Sequence, residues 1–102
     1  MPSIDYKKQL KNKPFESFTL TIATGATTVS HNFTFPWSNT PIVTLGVLTA
    51  LPVVVMAVGN VHLTVPDYPV ISALSTSAMT LEIQQIQNTD LIIHVNCIGN
   101  PN

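Results

Sequence analysis

The sequence predicts an all-β domain, an antiparallel β-sandwich of six to eight short strands in a jelly-roll-like arrangement. Apolar residues recur at every second position in several short stretches, and this period places them on one face of a strand. Turn and loop residues separate these stretches at short intervals, and no stretch after residue 16 has the spacing of a helix. A chain of 102 residues has the length of one domain.

Three strands are predicted in the first half of the body. Their apolar side chains alternate with Thr, Ser and Asn, as in strands that bury one face. A turn at Thr24-Gly25-Ala26 separates the first two strands, and a loop from Pro36 to Pro41 separates the second from the third. The predicted strands are Phe18 to Ile22, Val29 to Phe35 and Val43 to Val47.

Four more strands are predicted in the second half. Pro52 precedes the first, Gly59-Asn60 separates the first from the second, and a rigid loop from Pro66 to Pro69 ends the second. A turn from Gln87 to Asp90 leads into the last strand. These strands are Val53 to Val58, Val61 to Val65, Met79 to Ile83 and Leu91 to Cys97.

The uncharged run from Ile42 to Val58 has an alternative interpretation, because its 17 residues approach the length of a membrane-spanning helix. Pro52 lies inside the run and Pro41 precedes it, and neither end carries the basic residues that orient membrane helices. The run is also rich in Val and Thr, which favour strands. We therefore expect no membrane insertion.

Charge is distributed unevenly along the chain. All four lysines fall within the first 13 positions, and from residue 17 onward there is no Lys or Arg and only Asp67, Glu82 and Asp90 are acidic. We expect residues 1–16 to form an N-terminal arm or linker, with a frayed terminus as the alternative, and residues 17–102 to form the domain. A net charge of −1 argues against nucleic-acid binding.

The near absence of charge from the body predicts a homo-oligomer, since lone domains disperse through mixed surface charges. A hydroxyl- and amide-rich exterior, as on virion-exposed or secreted β proteins, and a simply neutral surface are the alternatives. On the last strand, Ile92, His94 and Ile98 point away from the apolar core face. They are the predicted oligomer interface, although packing within one subunit would also cover them.

Residues suited to catalysis are few. There is no arginine, the carboxylates are scattered, and no serine has a nucleophile-elbow pattern. The single cysteine, Cys97, excludes an internal disulfide, and His31 is expected to be a core or interface histidine with a satisfied hydrogen bond. We expect no enzyme, no metal and no cofactor. A small metal-dependent or hydrolytic enzyme would need His62 and His94 to meet on one sheet face.

Two loops carry candidate ligand-binding residues. Trp37 and Asn39 lie in the first loop, and Asp67 and Tyr68 lie in the second. An aromatic ring beside amide or carboxylate groups suits a sugar, because the ring covers the C–H patch while the polar neighbours bind hydroxyls. The alternative is that Trp37 closes one end of the sandwich and Tyr68 fills a contact between subunits.

Four segments carry a family resemblance: Val29-Ser30-His31-Asn32-Phe33-Thr34-Phe35, Pro41-Ile42-Val43-Thr44-Leu45, Met79-Thr80-Leu81-Glu82-Ile83 and Ile92-Ile93-His94-Val95-Asn96-Cys97-Ile98-Gly99. They resemble the H-type lectin and phage tail-fibre-tip group, which shows a proline-led second strand and a last strand that closes in Ile-Gly. The last strand of that group often carries a tryptophan where His94 to Asn96 stand here.

The resemblance implies a six-stranded sandwich that assembles as a trimer, with sugar bound between subunits in some members. The uncharged body is also similar to small capsid or turret components of viruses. We therefore expect a viral structural protein, a virion-surface or tail-fibre domain on the virion or extracellular surface. It would attach to a host glycan or to other virion proteins, the latter through the N-terminal arm. The alternative is a free carbohydrate-binding lectin of the same fold.

Overall fold

The computed structural model describes residues 14–101, which form eight β-strands and no helix, and every strand pair is antiparallel. This confirms the predicted all-β fold. The described part of the chain accordingly has no helix that could span a membrane. The strands are β1 (Phe15–Ile22), β2 (Thr28–Asn32), β3 (Ile42–Val47), β4 (Val53–Val58), β5 (Val61–Pro66), β6 (Val70–Leu74), β7 (Ala78–Glu82) and β8 (Leu91–Ile98).

Six of the strands form two three-stranded sheets, with the orders β1-β8-β3 and β2-β7-β6. Their facing sides enclose the core, to which β8 contributes alternate residues that are 2% exposed or less. Strand β8 takes the central place because its inward face is apolar along its whole length, which suits a strand flanked on both edges. The core residues are Leu20, Ile22, Phe33, Trp37, Met79, Leu81, Ile83, Leu91, Ile93, Val95 and Cys97.

Strand β6 has no counterpart among the predicted strands. The register of its pairing with β7 shifts between Ile71 and Ala73, and such a bulge breaks the two-residue alternation on which the sequence pattern depends. Ile71 and Leu74 consequently both face the core at an odd spacing.

The boundary of the predicted arm lies two residues too late. Phe15 and Glu16, assigned to the arm from sequence, pair with Ile98 and Cys97 as the first residues of β1. Glu16 hides this start, because a charged residue on the inward face looks like the end of the apolar alternation. Of the remainder of the predicted arm, Pro14 directly precedes β1 and residues 1–13 lie outside the described residues.

Strands β4 and β5 form a hairpin that belongs to neither sheet. Gly59 and Asn60 connect them, and Gly59 has a φ of 61°. A positive φ at the first of two turn residues is typical of a type II′ turn, which matches the twist of hairpin strands. The hairpin helps to give the molecule a length of 71 Å and widths of only 24 and 17 Å.

The base of the hairpin is tied to the sandwich by Asp67. Its backbone N–H donates to the Pro52 carbonyl at 2.8 Å, which closes the neck of the hairpin. Its carboxylate is fully buried and accepts the backbone N–H groups of Gln84 and Gln85, which follow β7. A buried carboxylate needs such donors, because desolvation of an unpaired charge is costly.

Candidate functional site

The outward side of the β1-β8-β3 sheet, here called the outer face, is an uncharged surface of the sandwich. Its residues follow from the strand registers, since cross-strand partners share a face. Among its eleven positions there is no Asp, Glu, Lys or Arg. They are Phe15, Ser17, Thr19 and Thr21 on β1, Ile92, His94, Asn96 and Ile98 on β8, and Ile42, Thr44 and Gly46 on β3.

One end of the outer face is an apolar row. Phe15, Ile98 and Ile42 are direct partners across the three strands, and their side chains are 54%, 57% and 71% exposed. The row adjoins a depression of about 410 Å³ whose lining includes Ser17 and Asn96. Three large apolar side chains side by side on a sheet surface are typical of a surface that another molecule covers.

The middle of the outer face is polar but uncharged. Ser17 donates to the Asn96 Oδ1 at 2.6 Å. His94 lies one row further along, between Thr19 and Gly46, and a Cβ on Gly46 would meet nothing within 4 Å. The half-buried His94 ring therefore borders open space on the β3 side, where it can accept or donate a hydrogen bond to a partner.

The opposite side of the sandwich has a different character. The outward residues of β2 and β7 are Thr28, Ser30, Asn32, Ala78, Thr80 and Glu82, and the Ser30 and Thr80 hydroxyls are hydrogen-bonded to each other at 2.9 Å. Large apolar groups are missing from these six positions. On β6, the third strand of this sheet, Val70 pairs with Glu82 and is 55% exposed. The opposite side thus carries one exposed large apolar side chain, whereas the outer face carries a row of three.

The three predicted interface residues lie together on the outer face. Ile92, His94 and Ile98 all point outward from β8, with Ile98 exposed and the other two half-buried. Their partners on β1 and β3 extend this surface to residues that the sequence did not single out, Phe15 and Ile42. Only strand pairing reveals these neighbours, because they are far from β8 in the sequence.

The two predicted ligand-binding loops lie at opposite ends of the sandwich. The backbone N–H of Trp37 donates to the Thr76 carbonyl just before β7, whereas the Asp67 carboxylate accepts the backbone N–H of Gln84 just after β7. The extended chain between Thr76 and Gln84 covers roughly 25 Å at about 3.3 Å per residue. The loops therefore cannot form one site.

Trp37 and Asp67 are buried and have structural roles. Trp37 is 5% exposed and packs edge-on against Phe33 at 6.2 Å between ring centroids, and Asp67 is committed to backbone N–H groups. Neither can present a ring face or a free carboxylate to a sugar, which corrects their assignment as ligand-binding residues. Asn39 and Tyr68 are exposed. Trp37 and Asp67, which were predicted to form sites with them, are buried.

Tyr68 has other polar neighbours. It lines an open depression of about 320 Å³ together with Val70, Glu82, Ile83 and Gln84. The depression combines an exposed aromatic ring, a carboxylate and an amide, which are the groups expected at a sugar site. Sequence reasoning missed Glu82 and Gln84 here, because they follow Tyr68 by 14 and 16 positions.

A second feature that sequence reasoning missed is a carboxylate–histidine pair between the sheets. The Glu16 Oε2 lies 3.1 Å from the His31 Nε2, and the Glu16 Oε1 accepts the Thr34 N–H at 3.2 Å. The His31 ring stacks on Phe18 at 3.8 Å between centroids. The predicted satisfied hydrogen bond of His31 is therefore confirmed. Extending the alternation of β1 backward by two residues would have placed Glu16 on the inward face.

This pair has no activated nucleophile beside it. Cys97 is the cross-strand partner of Glu16, but burial, assisted by the negative charge of Glu16, raises the pKa of its thiol to about 11. A thiol with that pKa stays protonated near neutral pH and is a poor nucleophile. Glu16 and His31 are thus suited to holding the two sheets together.

Metal binding through His62 and His94 is not supported by their positions. His62 lies on the β4-β5 hairpin and His94 on the outer face of the other sheet, so they do not share a sheet face as the enzyme alternative requires. Within residues 14–101, no group of three His, Cys, Asp or Glu side chains could hold a metal ion.

Comparison with known proteins gives no relative: no family model, curated protein or solved structure matches this chain. Its function is therefore inferred from its own surfaces.

Proposed function

We propose that this chain is a non-catalytic viral structural protein, a virion-surface or tail-fibre domain that forms homo-oligomers and mediates attachment or particle assembly. The outer face carries the proposal. An apolar row at its end and an uncharged polar centre match the interior of a protein interface, which is depleted of charge. A second copy of the chain offers an equally uncharged surface.

The state of the body's carboxylates strengthens the case for assembly. Asp67 is buried, Glu16 is paired with His31, and Asp90 is held by hydrogen bonds from Thr24. Glu82 and Asp90 are the carboxylates that residues 14–101 expose, so this part of the chain presents little ionic charge to water. A protein with so few surface charges stays in solution most readily when neighbouring copies cover part of its surface.

The two ends of the molecule suit a protein anchored at one end. The Pro14 carbonyl accepts the N–H of Gly99, beside the apolar row, whereas the hairpin leaves the opposite end, after β3. All four lysines precede Pro14 in the sequence. In the proposal, this basic segment joins other virion proteins and the hairpin end points away from them.

The strand count also supports the viral assignment. Without the hairpin, the sandwich has six strands in two sheets of three, and six is the number implied by the resemblance to the H-type lectin and tail-fibre-tip group. That resemblance is the reason for proposing a trimer and a virion or extracellular location.

Sedimentation velocity and native mass spectrometry of the full chain test the assembly. We expect a trimer at micromolar concentration, and Ile98→Lys should raise its dissociation constant about tenfold or more, because the new ammonium group would be desolvated. Ser30→Lys on the opposite exterior is the matched control and should leave the trimer intact. A wild-type chain that stays monomeric when concentrated would disprove the proposal.

A free lectin is the second candidate, favoured by the depression around Tyr68, Glu82 and Gln84. A glycan array with the wild-type chain and the variant Tyr68→Ala distinguishes it. Binding of a defined sugar that Tyr68→Ala abolishes, with the oligomer unchanged, would support sugar binding at this depression. Absence of binding to every glycan on the array would favour a purely structural role.

A further inference from the structure

We propose that the depression beside Tyr68 and Glu82 binds a saccharide that carries a free amino group. The sugar ring packs on the Tyr68 side chain, and the ammonium group binds the Glu82 carboxylate. The inference rests on the second candidate function, sugar binding at this depression, and it adds the class of sugar that the depression takes.

Glu82 is the carboxylate of residues 14–101 that has no hydrogen-bond or ion-pair partner there. Each of the other three, Glu16, Asp67 and Asp90, accepts at least one hydrogen bond from the chain. The cross-strand neighbours of Glu82 are a threonine on β2 and a valine on β6, so neither brings a positive charge to it. An ionised carboxylate accepts several hydrogen bonds, and those of Glu82 are open to a ligand.

The charge of the depression selects the charge of the ligand. Glu82 is the charged residue of its lining, and no Lys or Arg follows Lys13 in the sequence. An acidic sugar would bring a like charge to Glu82 with no basic side chain of the sandwich to offset it. A protonated amino group has the opposite charge and three donors for the carboxylate. A basic sugar is therefore the complementary ligand.

An apolar surface lies directly beside this carboxylate. Val70 is the cross-strand partner of Glu82, and Tyr68 lies two positions earlier with the buried Pro69 between them. Tyr68 and Val70 are 60% and 55% exposed. A sugar ring suits this combination, because its C–H face covers apolar groups while its hydroxyl groups bind polar neighbours such as the Gln84 amide.

The backbone around Tyr68 is held in place on both sides. The buried Asp67 carboxylate before it accepts the backbone N–H groups of Gln84 and Gln85. The ring of Pro69 after it has a fixed φ and restricts Tyr68 to extended conformations. Asp67 thus keeps Gln84 close to the Tyr68 segment when no ligand is bound. A site that is already formed loses little conformational freedom on binding.

The size and position of the depression also suit a small sugar. Its volume of about 320 Å³ lies at the lower end of the range for ligand sites, so it suits a single sugar ring. Val70 and Glu82 point outward from the β2-β7-β6 sheet, on the side of the sandwich opposite the outer face. Assembly through the outer face therefore leaves the depression accessible.

Three monosaccharides with similar rings and different charges test the inference. Glucosamine is basic, glucose is neutral and glucuronate is acidic. Each is titrated into the full ¹⁵N-labelled chain, and the backbone amide shifts of Tyr68, Val70, Glu82 and Gln84 give its dissociation constant. At low salt, we expect glucosamine to bind about fivefold more tightly than glucose and glucuronate to leave these four signals unchanged. The preference for glucosamine should shrink in about 0.5 M NaCl, because salt screens the pair.

Two variants at exposed carboxylates assign the preference to one side chain. Glu82→Gln keeps the shape and removes the charge, so it should bind glucosamine no more tightly than glucose. Asp90→Asn removes the other exposed carboxylate and is the matched control, with dissociation constants expected within about twofold of wild type. Equal loss of the preference in the two variants would contradict a contact at Glu82.

Tyr68→Ala tests the contact with the sugar ring. We expect it to weaken the binding of glucosamine and of glucose alike by about tenfold, because the apolar platform is lost. Methylammonium chloride carries the charge without a ring, and it should bind far more weakly than glucosamine. Equal affinities of methylammonium and glucosamine would overturn the inference in favour of a site for a bare ammonium group.

The outcomes separate this inference from the proposed function. If glucosamine and glucose bind equally and Tyr68→Ala abolishes both, the role of the amino group is disproved and sugar binding at the depression stands. If none of the sugars shifts the four signals, the inference and the lectin candidate are both disproved. Assembly is measured independently by sedimentation of the chain without sugar.

Discussion

The carboxylate of Asp67 holds the backbone N–H of Gln84, at 2.9 Å from Oδ1 and 3.1 Å from Oδ2. This contact joins the residue that follows β5 to the residues that follow β7. Because the Asp67 N–H also closes the neck of the hairpin on Pro52, one buried side chain fixes where the hairpin leaves the sandwich. A predicted ligand-binding residue therefore has an architectural role.

Replacing this carboxylate should destabilise the fold. Asp67→Asn keeps the shape but turns one acceptor into an N–H₂ group facing backbone donors, so we expect the free energy of unfolding to fall by about 2–3 kcal/mol. Urea denaturation followed by circular dichroism measures the change. The control Glu82→Gln, at an exposed carboxylate, should lie within about 0.5 kcal/mol of wild type. Equal effects of the two substitutions would contradict the role of Asp67.

The packing of Trp37 leaves little room for a side chain at Gly99. A Cβ at Gly99 would lie 3.0 Å from the Trp37 Cε3 and 3.3 Å from the Pro41 Cα, so Gly99→Ala forces the ring or the loop to shift. We expect a loss of about 1–3 kcal/mol in the free energy of unfolding, with a change in tryptophan fluorescence. Gly46→Ala, whose Cβ would meet nothing within 4 Å, should be neutral or slightly stabilising. Wild-type stability and fluorescence in Gly99→Ala would refute this account.

Cys97 should react only when the sandwich opens. Its side chain is buried, and burial together with the charge of Glu16 raises the thiol pKa to about 11. Iodoacetamide at pH 8, at which an ordinary thiol of pKa about 8.5 is substantially ionised, should leave the folded protein unmodified by mass spectrometry. Modification should rise in parallel with unfolding in urea. Rapid alkylation of the folded chain would be inconsistent with this packing.

Asp90 should make stability depend on pH in the acid range. Hydrogen bonds from the backbone N–H of Thr24, and then from its hydroxyl, hold the pKa of Asp90 below its ordinary value of 3.8. A lowered folded-state pKa adds stability that is present above the unfolded-state value and is lost as pH falls through the folded-state value.

The difference in the free energy of unfolding between wild type and Asp90→Asn should therefore be constant above about pH 5 and should shrink below about pH 4. Urea titrations at several pH values measure it. Glu82→Gln is a suitable control, and a difference for Asp90→Asn that does not vary across the acid range would rule out the Thr24 contact as its source.

The strands that the sequence predicted are those whose alternation is unbroken. The two-residue period of β1, β3, β7 and β8 follows from residues adjacent along the chain, and Gly59-Asn60 marks the hairpin turn by its local backbone preference. Strand β6 escaped prediction because its bulge interrupts that period. The start of β1 was misplaced because Glu16 carries a charge on the inward face.

Local sequence by itself determined that this protein is all-β and that its body bears almost no charge. Only the tertiary structure decided that Trp37 and Asp67 are buried at opposite ends, that Phe15, Ile42 and Ile98 form one row, and that the hairpin lies outside both sheets. The physical reason is that alternation depends on neighbours two residues apart, whereas these features depend on pairing between distant strands. Ser17 and Asn96, hydrogen-bonded across 79 positions, belong to one surface only because β1 and β8 bury their other sides in the same core.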